Sequence, residues 1–99
     1  MKIIALEKEF RGGALSPRLL RAEAQRVWEL YSQGIVREAY FRAGIREAAL
    51  ILEARDVQSA KAILNTLPLL ENGRIVFEVI PLIPYDGFQR LFSQPIGPA

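Results

Sequence analysis

The segment Ala48-Ala49-Leu50-Ile51-Leu52 is apolar at every position. A strand with one wet face alternates apolar and polar residues, so an unbroken run of this kind reads as a central strand covered on both sides. The rest of the chain must supply that cover. The period of its apolar residues switches along the sequence, from two to helical and back, in the order expected of a βαββαβ domain.

Lys2 to Phe10 alternates, with Ile4, Leu6 and Phe10 on one face beside Lys8, and Ile3, Ala5, Glu7 and Glu9 on the other. Arg11-Gly12-Gly13 closes this first strand. Ser16-Pro17 pairs a serine cap with a proline at the first helical position, and the helix it starts runs to about Ser32. Leu20, Ala24, Val27, Trp28 and Tyr31 form its apolar stripe, which assigns Trp28 and Tyr31 to the core. Gly34 follows as a residue suited to the turn past a helix end. Ile35 to Arg42 is the second strand and Ile45 to Ala54 the third, joined tightly at Ala43-Gly44. Asp56 caps a second helix from Val57 to about Leu67, ended by Pro68. Arg74 to Ile83 is the fourth strand, and Pro81 and Pro84 mark it as an edge. The tail holds a short amphipathic piece, Gly87 to Phe92, then Pro95 and Pro98.

This order predicts an α+β, ferredoxin-like fold: a four-stranded antiparallel sheet with both helices on one face, as one domain over residues 1–99. Right-handed crossovers place the helices together. The strands nevertheless carry apolar residues on both faces, and a bare patch of that kind exceeds what a lone soluble chain exposes. The expected partner is a second copy, sheet against sheet. Burying ~600 Å² per subunit contributes on the order of 15 kcal/mol gross, much of it offset by the entropy of association. The rival arrangement is a monomer whose tail, with Phe88, Leu91 and Phe92, folds over the open face. A third has the tail reaching onto the partner.

Composition excludes several classes of function. The chain lacks cysteine and histidine, so it has no Cys or His metal ligand, no imidazole base and no thiol chemistry. No cofactor is expected. The formal net charge of +2 is too small to indicate nucleic acid or an anionic membrane. The RNA-binding version of this fold needs aromatic residues on both central strands, and the third strand has none. No apolar run approaches the roughly 20 residues of a membrane helix, and the N-terminus lacks a leader pattern, so the expected location is cytoplasmic.

Glu38, Tyr40 and Arg42 alternate on the second strand, with Val36 in phase. On a face shared with a ligand, Arg42 can grip a carboxylate by a two-pronged hydrogen bond. A desolvated Glu38 can abstract a proton next to a carbonyl, and Tyr40 can donate to the oxyanion that forms. Glu78 and Glu53 are further carboxylate candidates, and Lys8 can pair with one of them. The bland alternatives are a solvated cross-strand pair and a salt bridge between subunits.

Several short stretches resemble the muconolactone isomerase family. They are Gly34-Ile35-Val36-Arg37, Ala43-Gly44, the trio Ser59, Ala60 and Leu64, the exit Leu67-Pro68-Leu69, and Glu78-Val79, spread over residues 25–85. The resemblance implies dimeric α+β barrels assembled into larger oligomers, and proton transfer on a small organic acid or lactone. Glu38 stands where the family has a histidine, Tyr40 where it has an aromatic residue, and Phe41 where it has a basic one. The alternatives are a small-ligand-binding or regulatory module without catalysis, and an accessory oligomeric protein.

Overall fold

The computed structural model describes residues 1–92. It has β1 (Lys2–Lys8), α1 (Pro17–Ser32), β2 (Val36–Phe41), β3 (Ala48–Glu53), α2 (Val57–Leu64), α3 (Pro68–Glu71) and β4 (Val76–Pro81), then a short 3-10 helix at Gly87–Leu91. The sheet order is β2-β3-β1-β4, and every pairing is antiparallel. This is the expected ferredoxin-like arrangement, with β3 and β1 central and β4 at an edge.

The caps explain where the helices start. Ser16 Oγ accepts from the Leu19 N–H at 3.1 Å, and Asp56 Oδ1 from the Ser59 N–H at 2.7 Å. Each satisfies an amide that has no partner within its own helix. Pro68 does not simply end α2. The helix stops at Leu64, and Pro68 opens the separate turn α3, where its missing N–H costs nothing. The β2–β3 connection is also longer than a tight hairpin. Arg42 and Glu47 still pair through their backbones at 2.8 Å, and Gly44 takes the positive φ of 84° that the loop requires.

The core lies on one face of the sheet. Ile3 and Ala5 of β1, Leu50 and Leu52 of β3, and Val36 of β2 meet Leu30 of α1 and Ala60 and Leu64 of α2. Leu52 is fully buried and stands in register between Ile3 and Val36. Leu52→Ala is expected to cost ~2–5 kcal/mol in urea unfolding, from lost transfer energy plus the cavity left behind. An unchanged midpoint would place the core elsewhere.

The opposite face carries a row of isoleucines in register, Ile51 beside Ile4 beside Ile80. With Leu6 and Val76 they stay only half-buried, outside the core cluster. Among the described residues, the tail does not cover them. Phe88 and Leu91 are exposed, and Phe92 is 85% exposed. Pro95 and Pro98 lie outside the described residues. No described helix is long and apolar enough to cross a membrane.

α1 is rotated from its expected phase. Leu30 is buried and Val27 packs against the core, whereas Trp28 is 62% and Tyr31 51% exposed. The helix presents the row Glu23, Val27, Leu30 inward, and its aromatic stripe borders an opening beside the sheet.

Candidate functional site

That opening is a cavity of about 990 Å³ between α1 and the helix-side face of the sheet. Leu20, Val27, Trp28 and Tyr31 line it from α1, and Phe41 and Leu50 from the strands. Its polar groups are few, as in most small-molecule sites. Two are carboxylates, Glu7 and Glu23, and one is the Arg46 guanidinium.

Glu7 follows Ile3 and Ala5 on the buried face of β1 and is only 7% exposed. Its Oε1 accepts from the Ala48 N–H at 3.2 Å, just past Leu6–Ala49, the last β1–β3 pair. The side chain thus takes over where the ladder ends. Burial pushes the Glu7 carboxyl above its ordinary value of 4.5. The Ala48 hydrogen bond opposes that shift, and the charge of Glu47 adds to it. Glu23 reaches from α1 to the start of α3, where Oε1 accepts from the Leu69 N–H at 2.9 Å. Its carboxyl is also raised, first by burial and further by the charge on Glu7, with the Leu69 hydrogen bond opposing. Two carboxyl groups in one apolar cavity, each holding its proton more firmly than in water, are candidates for acid–base work.

Both shifts have the same consequence for stability. A raised carboxyl pKa means the folded chain binds protons more tightly than the unfolded one. The contribution is therefore complete below about pH 4.5 and is lost as pH rises through the folded value. Glu23→Gln keeps an acceptor for Leu69 and removes the charge. Calorimetry is expected to show a smaller fall in Tm between pH 5 and neutrality for this variant than for the parent. Parallel curves would mean that Glu23 is not desolvated.

The residues singled out in the sequence lie elsewhere. Glu38 and Tyr40 stand opposite Ile51 and Ala49, which puts both on the open sheet face. The Tyr40 hydroxyl donates to Glu38 Oε1. This hydrogen bond, and then the Glu38 charge, raise the phenol above its ordinary 10.0. Both residues are exposed, so apolar walls do not enclose Glu38 within the single chain. Val36 does not share their face. A register irregularity between Val36 and Glu38 turns Val36 into the core, because an extra residue in one strand breaks the two-residue alternation. Arg42 joins Glu47 at 3.2 Å instead of Glu38. Lys8 pairs with Glu78 at 3.6 Å, beyond β3 from the Glu38–Tyr40 pair, and Glu53 holds the N-terminal amine at 3.1 Å. Of the substrate and catalytic candidates, Tyr40 alone borders the cavity.

Glu7 and Glu23 escaped selection for different reasons. Glu7 carried a usable signal, since it falls in phase with Ile3 and Ala5. Glu23 reads as a solvated residue until the helix phase is known, and only then does it align with Val27 and Leu30.

An antiparallel sheet with helices on one face, and a carboxyl-bearing apolar cavity between the layers, defines an α+β domain of the ferredoxin-like class. The solved structure of a muconolactone isomerase at 3.3 Å resolution has the same fold, with a TM-score of 0.74 and 19% identity. The match covers 87% of this chain and 92% of that one. No protein-family model matches the chain, and no curated protein matches it in sequence.

Proposed function

We propose that the chain is a proton-transfer enzyme of the muconolactone isomerase type, acting on a carbon acid such as a lactone or unsaturated acid within the helix–sheet cavity. The observation that carries this reading is the presence there of two carboxyl groups, Glu7 and Glu23, both raised by burial and coupled by charge. Glu7, ionised, removes the proton from carbon. The C–H electron pair becomes the C=C bond of an enolate as the carbonyl π pair moves onto oxygen. Glu23, its carboxyl raised first by burial and further by the Glu7 charge, keeps its proton and donates a hydrogen bond to the enolate oxygen. In a substrate with a conjugated double bond, return of the proton from Glu7 to the far carbon of the dienolate restores the carbonyl, moves the double bond and gives the isomer with no net loss of protons. Arg46, whose guanidinium lies 4.4 Å over the Phe41 ring, stands among the lining residues as a cation able to hold an anionic substituent.

A second copy completes the assembly in this reading. The half-buried isoleucine row pairs with its own image, and the exposed tail extends the interface. A regulatory module that only binds its ligand is the second reading. It is supported by the apolar character of the cavity walls.

The deciding experiment follows deuterium from solvent into a small lactone or unsaturated acid by NMR. Exchange above the buffer rate, lost in Glu7→Gln, supports the enzyme. Binding without exchange supports the module.

A further inference from the structure

The size and walls of the cavity bear on the body of the ligand as well as on its reactive edge. The cavity is several times larger than a single five-membered lactone, and its volume lies near the upper end of drug-sized sites. Its walls are apolar, with aliphatic side chains interleaved by aromatic rings. Trp28 stacks with Tyr31 on α1, with centroids 5.7 Å apart and planes 25° from parallel. Phe41 faces the opening from β2, with the Arg46 guanidinium over its ring. Phe10 lies at the end of β1, near the Arg74 guanidinium at 5.6 Å. Exposed rings of this kind prefer flat, polarisable partners. The charges sort the ligand further. Glu7, ionised, repels a carboxylate placed beside it, whereas Arg46 forms no ion pair among the described residues. An anionic group therefore belongs at Arg46 and not beside Glu7.

We infer that the ligand is a planar molecule of two or three fused rings, with an anionic substituent at Arg46 and an enolisable edge at the carboxyl pair. The placing of the enolisable edge rests on the proton-transfer reading; the ring body rests on the cavity alone.

Trp28 is the single tryptophan of the chain and borders the cavity, so its fluorescence reports occupancy directly. The full chain is titrated with 2-naphthoate, anthracene-2-carboxylate and a single-ring butenolide acid. Quenching is expected with the fused-ring acids, whose affinity should rise by about tenfold or more with each added ring through apolar transfer. Ala39→Phe, which puts a ring into the cavity from the exposed edge strand, is expected to weaken anthracene-2-carboxylate at least as strongly. Circular dichroism confirms that this variant folds. Binding of the single-ring acid as tight as that of anthracene-2-carboxylate would overturn the inference, as would unchanged binding in folded Ala39→Phe. Deuterium exchange into the single-ring acid without fused-ring binding overturns the inference and leaves proton transfer standing. Fused-ring binding with no exchange into any carbon acid supports the inference and removes the enzyme reading.

Discussion

Glu7→Gln is expected to slow deuterium exchange into a carbon-acid substrate by ~10²–10⁴-fold, the range associated with a positioned general base. Glutamine keeps an oxygen for the Ala48 N–H, so the end of the β1–β3 ladder survives. What disappears is the basic carboxylate. Glu23→Gln keeps the Leu69 hydrogen bond and removes the acid. The two variants differ in their pH profiles. In the parent the rate rises as Glu7 loses its proton and falls as Glu23 loses its own, so the profile is a bell displaced upward from ordinary carboxylates, in keeping with both raised groups. Glu23→Gln should lose the alkaline limb and keep the acid one. Glu38→Gln is the critical control. It lies on the other face of the sheet, hydrogen-bonded to Tyr40, and should leave exchange within a few-fold of the parent. A full loss in Glu38→Gln with normal rates in Glu7→Gln would move the chemistry to the open face.

Ile4→Arg is expected to convert the assembled protein to monomers in native mass spectrometry. Ile4 sits on the central strand β1 with Ile51 on one side and Ile80 on the other, the middle of the open-face row. Around a twofold axis the change enters twice, placing like charges in an apolar contact with no carboxylate directly alongside. Burying an unpaired charge costs several kcal/mol, a large part of what a sheet–sheet contact supplies after association entropy. The single chain should tolerate the change, since Ile4 lies outside the core cluster. Thermal unfolding separates loss of assembly from loss of fold. A parent that runs as a monomer would remove the sheet-pairing proposal at once.

The tail sharpens the same point. Tyr85 packs edge-on to Phe88, with ring centroids 4.9 Å apart, and its ring lies against Gly87, where a Cβ would clash. The local turn is ordered by its own side chains, yet Phe88, Leu91 and Phe92 stay exposed. Amphipathic spacing revealed a structured piece but not where its apolar side goes. That depends on a surface, and among the described residues none covers it.

Much of the fold was legible from local chemistry. Ser16, Asp56 and Gly34 mark boundaries because capping and positive φ depend on neighbours a few residues away. The two-faced strands were legible because side chains alternate with a strict period of two. The same period misled at β2. An irregularity between Val36 and Glu38 turns Val36 away from Glu38 and Tyr40, and no residue type there announces it. Pro68 cannot continue a helix and so predicts a stop, but it is equally fit to begin one.

The sequence by itself determined the order of elements, the helix starts, the central place of β3 and the surplus of apolar residues on a second sheet face. These follow from periodicity and caps, which act within one or two turns of chain. Only the tertiary structure decided the rotation of α1 about its axis, and with it the site. A helix with apolar residues at Leu20, Val27, Trp28, Leu30 and Tyr31 can seat more than one stripe on a sheet. Packing chose the row through Val27 and Leu30, which carried Glu23 inward to the cavity that Glu7 also lines and left Trp28 and Tyr31 at its opening. That choice rests on shape complementarity between residues far apart in the chain, a quantity that local pattern does not contain.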